Sequence, residues 1–97
     1  MSAIDLRVLR ISDHAATRFC ERVSGITATR GRRSRAKARI VVRLRSAELL
    51  ESGNAHDGTP QRLWKLADCV AVEKAGTVTT ILTFEQHANG IRSDETT

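Results

Sequence analysis

The sequence predicts an α+β domain: a short N-terminal strand and two helices packed on a three- to four-stranded antiparallel sheet. Three observations carry that prediction. In the first half of the chain apolar residues recur at three- and four-residue spacing, the period of a helix with one buried face. In the second half they alternate, the period of a strand. At 97 residues the chain has room for one core and no second folded domain. Helices followed by a meander form a layer of helices on a sheet.

Each element has its own signal. Residues 6–11 alternate imperfectly and predict a strand, which must pair with the meander. Ser12 or Asp13 offers a side-chain oxygen to cap the helix that follows, over residues 13–23. Ala15, Ala16, Phe19, Cys20 and Val23 form its apolar face, and Ser24-Gly25 ends it. A basic connection, residues 26–33, leads to a longer helix over residues 34–52. Its apolar positions are Ile40, Val41, Leu44, Ala47 and Leu50. Gly53-Asn54 stops it, and a polar loop with an Asp57-Gly58 turn runs to Pro60. Strands follow over residues 62–67, 69–73 and 77–84, the last two joined by Lys74-Ala75-Gly76. In the last strand Val78, Leu82 and Phe84 are expected on one side and Thr77, Thr79, Ile81 and Thr83 on the other. Phe19, Trp64 and Phe84 are expected to bury against Val70, Val72, Val78, Ile40 and Leu44. The domain is expected over residues 1–87, with a polar, fraying tail over 88–97.

Composition narrows the function classes. With 40% hydrophobic and 28% charged residues, the chain is not disordered as a whole. No apolar run approaches the roughly 18 residues of a membrane span, and the first ten residues lack a signal-peptide core. The expectation is a soluble, cytoplasmic protein with no membrane partner. Cys20 and Cys69 are too few for a disulfide scaffold and read as small buried residues. His14, His56 and His87 are scattered, so no metal site and no cofactor are expected. With only Phe19, Trp64 and Phe84 as aromatics, a platform that stacks RNA bases on aromatic rings is disfavoured.

The charge is concentrated. The net charge is +5, and no acid lies between Glu21 and Glu48, a stretch that holds nine of the 16 basic residues. They include Arg30, Arg32, Arg33, Arg35, Lys37, Arg39 and Arg43, the candidate nucleic-acid contacts. Arginine's planar fork matches phosphate oxygens two at a time. Such a face predicts an RNA or other polyanion partner, bound in a salt-sensitive way.

A second cluster offers chemistry. His14, Arg18 and Arg22 are four residues apart on the first helix and line one stripe. The helix dipole and both arginines disfavour protonation of His14, which suits a general base at neutral pH. Arg18 or Arg22 would offset phosphate charge in the transition state. That is what a metal-independent ribonuclease requires. His87, or a strand threonine such as Thr79 or Thr83, would assist the leaving oxygen or position the phosphate.

The segment Ile11-Ser12-Asp13-His14-Ala15-Ala16-Thr17-Arg18-Phe19-Cys20-Glu21-Arg22 resembles the H-A-x-x-R-x-x-x-R helix opening of small bacterial and phage families. Those families are grouped with the RelE-like toxins, in the wider class of barnase, EndoU and colicin nucleases. Cys69-Val70-Ala71-Val72-Glu73 and Val78-Thr79-Thr80-Ile81-Leu82-Thr83 are similar to the paired final strands of that class. The resemblance implies metal-independent RNA cleavage within a toxin–antitoxin pair. On it His14, Arg18 and Arg22 take catalytic roles, with Thr79 or Thr83 contributing from the final strand. An antitoxin or another acidic protein is then a further possible partner.

Two other functions compete. A non-catalytic phage or mobile-element inhibitor would use the arginine face to occupy a nucleic-acid machine, indifferent to His14. A helix-turn-helix regulator is disfavoured, because the joint from Gly25 to Arg33 exceeds the usual turn of about 3–4 residues.

Overall fold

The computed structural model describes residues 10–90. In chain order they form β1 (Arg10–Ile11), α1 (Asp13–Phe19), α2 (Arg30–Leu44), β2 (Glu48–Asn54), β3 (Pro60–Lys65), β4 (Val70–Lys74), β5 (Thr77–Leu82) and α3 (Phe84–Ala88). Beyond Phe19 the first helix runs on as a π-helical turn, Cys20–Ser24. The α+β class holds. The sheet, however, has five strands in the order β1-β5-β4-β3-β2 and is mixed rather than antiparallel throughout. β1 lies parallel to β5, with Arg10 opposite Thr77 and Ile11 opposite Val78. Of the strand expected over residues 6–11, positions 6–9 lie outside the described residues.

The extra strand comes from the end of the expected second helix. Thr29 caps α2 by accepting from the Arg32 N–H, so the helix starts four residues early, at Arg30. It ends at Leu44, and Glu48–Asn54 pairs antiparallel with β3. Residues 44, 47 and 50 fit a helical period, but strand pairing sets Leu49 opposite the buried Trp64. Tertiary burial overrides the local period there. An irregularity in register between Leu49 and Glu51 leaves Leu50 as an extra residue in β2.

A second irregularity, between Val72 and Glu73 on β4, changes the faces of β5. Glu73 pairs with Val78 and Val72 with Thr80, so Thr79 is the extra residue. Val78 therefore packs on the helix side and Leu82 on the opposite side, which corrects the expectation that they share a face. On the helix side Ala15, Ala16, Phe19 and Cys20 meet Ala36, Ile40 and Leu44, over Trp64, Ala71, Val78 and Ile81. On the other side Leu63, Val70, Val72 and Leu82 form a smaller cluster. Phe19 and Trp64 bury as expected, both against Ile40, Leu44 and Val78; Val70 and Val72 lie across the sheet from them.

Phe84 does not bury. β5 stops at Leu82, and Thr83 caps α3 in a reciprocal box with Gln86. α3 runs to Ala88, one residue into the stretch expected to fray, and Phe84 at its first position is 42% exposed. A capping oxygen at Thr83 outweighs continuation of the strand pattern.

β4 and β5 join through Ala75 and Gly76, both with positive φ (49° and 87°). Nearby, the Glu73 carboxylate is only 3% exposed. It accepts from Trp64 Nε1 at 2.8 Å, Arg62 Nη2 at 2.7 Å and the Gly76 N–H at 3.2 Å. Burial pushes this carboxyl up, and the hydrogen bonds from Arg62 and Trp64 more than reverse it, holding it below its ordinary value.

Candidate nucleic-acid interface

α1 begins where β1 ends, which places its first turn beside β5. Ser12 caps it, accepting from the Ala15 N–H at 3.0 Å and donating to the Thr79 carbonyl at 3.2 Å. His14 follows in the first turn, half-buried. Its Nε2 is fully enclosed and has no hydrogen-bond partner among the described residues. Burial, then the positive charges of Arg18 and Arg22, press its pKa below the ordinary imidazole value. His14, Arg18 and Arg22 thus lie close enough for both guanidinium charges to act on the imidazole.

Its arginines already have structural partners. Arg18 pairs with Glu21 at 2.9 Å. Arg22 donates from Nη1 to the Ile81 carbonyl at 2.8 Å. Among the described residues β1 pairs with β5 at Thr77 and Val78, and Ser12 and Arg22 satisfy the carbonyls of Thr79 and Ile81 beyond it. The wider π-helical turn contains Arg22 and carries it to that edge. Thr79 donates from Oγ1 to the Val72 carbonyl at 3.4 Å. Its own carbonyl meets Ser12, so it lies close to the start of α1. Thr83 is at the cap of α3, and His87 faces Glu51 at 3.2 Å. Glu51 pairs with Leu63 on the side of the sheet away from α1 and α2, so His87 is not part of the His14 stripe.

α2 holds the basic run on two flanks. Its buried line is Ala36, Ile40 and Leu44. Arg32, Arg35, Arg39 and Arg43 follow at three- and four-residue steps along one flank, and Arg30, Arg33 and Lys37 lie on the other. Two of the seven are engaged in inter-element pairs. Lys37 reaches Asp13 at 2.6 Å, and Arg43 reaches Asp68 at 2.8 Å while lying over the Phe19 ring at 5.0 Å. Hydrogen bonding to Asp68 raises the Arg43 pKa, and the pair ties α2 to the β3–β4 loop. Arg30, Arg32, Arg35 and Arg39 are exposed.

The spacing did not reveal a cleft of about 230 Å³ between the π-helical turn and α2. Buried Phe19, Cys20 and Ala36 form its floor. Its rim is Ser24, Ile26, Arg32, Arg35 and Arg39, with no acidic residue. Gly25, at φ 66°, turns the chain out of the helix, and the Ile26 N–H returns to the Cys20 carbonyl at 2.9 Å. Arg32 is braced by a 2.9 Å bond from Nη1 to the Thr27 carbonyl. Among the described residues, the side chains of Arg35 and Arg39 have no hydrogen bond or ion pair. The Ser24-Gly25 helix stop, with arginines seven and ten residues beyond Gly25, was the signal available in the sequence.

Both cysteines are buried, and burial drives the Cys69 thiol well above its ordinary pKa. Among the described residues no group of three or more His, Cys, Asp and Glu side chains is placed to hold a metal. Among them, too, no helix is long and apolar enough to cross a membrane. No protein-family model, curated protein or solved structure matches the chain.

Proposed function

We propose that the protein is a RelE-like, toxin-type RNA-binding protein that holds the RNA phosphate backbone with the Arg32, Arg35 and Arg39 flank of α2. The carrying observation is this arginine row around an acid-free cleft, with Arg35 and Arg39 uncommitted among the described residues. Each guanidinium that replaces a condensed counterion adds a salt-dependent increment to binding. The experiment is a gel-shift of a single-stranded RNA across a salt series. Changing Arg32, Arg35 and Arg39 together to Gln is expected to weaken binding at least about tenfold and lower the salt slope by about 2. Unchanged affinity and slope would remove the proposal.

A second reading, metal-independent cleavage of the bound RNA, is favoured by one observation: His14 Nε2 lacks a hydrogen-bond partner and its pKa is depressed. For cleavage the imidazole must become accessible to a 2′-hydroxyl, and Arg18 or Arg22 must leave Glu21 or the Ile81 carbonyl for phosphate. Incubation with tRNA and mRNA in EDTA tests it. Cleavage by the wild type and none by His14→Ala makes His14 the base. Intact RNA bound equally by both proteins leaves a non-catalytic inhibitor of a nucleic-acid machine.

A further inference from the structure

The cleft beside α2 has a shape that backbone binding alone does not require. Phosphate contact needs charge; it does not need an exposed aliphatic side chain. Here Ile26 is 39% exposed at the rim, in a lining it shares with Arg32, Arg35 and Arg39. At about 230 Å³ the space is smaller than the roughly 300–1,000 Å³ pockets that enclose drug-sized ligands. It suits one small anionic unit with a flat apolar part, inserted from the rim.

We infer that the cleft is a subsite for one unstacked nucleotide of the bound strand, with its phosphate on Arg35 and Arg39 and its base over Ile26. The inference rests on the RNA reading above and narrows it. Sequence-specific RNA contacts usually take splayed bases, stacked on aromatic rings or on arginine planes. Phe19 and Trp64 are each 1% exposed and offer no ring face. The exposed Ile26 side chain supplies that surface instead. Arg32, fixed on the Thr27 carbonyl, closes one end of the site.

The test is an NMR titration of the full chain with adenosine monophosphate, adenosine and inorganic phosphate, beside RNA gel-shifts on the same samples. The monophosphate is expected to shift Ser24, Ile26 and Ala36 and to bind at least about tenfold more tightly than adenosine or phosphate alone. Arg39→Gln, an exposed change that leaves folding intact, should lower monophosphate affinity by a similar factor. Ile26→Asp should do the same and weaken RNA binding. Equal affinity for phosphate and the monophosphate would overturn the nucleotide site and leave an anion site only. Salt-sensitive RNA binding with no Ile26 or Ala36 shifts, and no effect of Ile26→Asp, would overturn the subsite while the α2 backbone contact stands. Monophosphate binding in the cleft without any RNA binding would support the subsite chemistry and overturn the RNA reading.

Discussion

Phe19 and Phe84 are the same residue type in opposite situations, and they set the first test. Phe19 is 1% exposed and carries the Arg43 guanidinium over its ring, whereas Phe84 is 42% exposed. Phe19→Ala is expected to cost about 3–5 kcal/mol, and Phe84→Ala under about 1 kcal/mol, in urea melts. His14 gives a second. Its folded pKa lies below that of the unfolded chain, so acid favours the unfolded state, which takes up a proton the folded state resists. His14 should leave stability untouched above about pH 6.5 and reduce it as pH falls from there toward the folded pKa. His14→Asn should flatten that slope in urea melts at a series of pH values; an unchanged slope would show that His14 is not the group. Glu73 acts lower on the scale. With its pKa held down by Arg62 and Trp64, its contribution is present above the ordinary carboxylate range and lost as pH falls through the folded value.

Among the elements, the hairpin between β4 and β5 has a turn residue that does not suit its backbone geometry. Ala75 has φ 49° and Gly76 φ 87°, a two-residue turn that favours Asn-Gly. An alanine in the left-handed region costs about 1 kcal/mol or more. Ala75→Asn is therefore expected to stabilise the domain by about 0.5–1 kcal/mol, raising Tm by several degrees. A lower Tm would mean the turn depends on something other than backbone conformation. The elements also show where the sequence was legible. The capped start of α1, its apolar face, and β3 to β5 could be located because local signals and tertiary packing agree there. β2 could not, because Leu44, Ala47 and Leu50 satisfy a helical period and only pairing with β3 reveals the strand. The faces of β5 were hidden for a related reason: an extra residue at Thr79 shifts the alternation, and such a bulge has no compositional mark. At the site, four-residue spacing was enough to group His14, Arg18 and Arg22. It was blind to the π-helical turn that sends Arg22 to the Ile81 carbonyl, and to the cleft that turn helps to form.

On the scale of the whole molecule, the two groups of candidate residues occupy different places. The His14 stripe lies along the part of β5 beyond its pairing with β1, and the arginine cleft lies between the π-helical turn and α2. They share the helix layer and no lining residue. Mutations in one should therefore add to mutations in the other rather than couple with them. His14→Ala combined with Arg39→Gln is expected to give RNA affinities equal to the product of the single effects; a large departure would mean that both sets touch the same part of the strand. Positive charge is also concentrated: α2 carries no acidic residue and covers one face of the sheet, with Arg32, Arg35 and Arg39 exposed along it. In the field of a polyanion the protein would turn before it touches. At low ionic strength the capture rate of such a partner, and not only its residence time, would rise with the positive charge gathered on one helix.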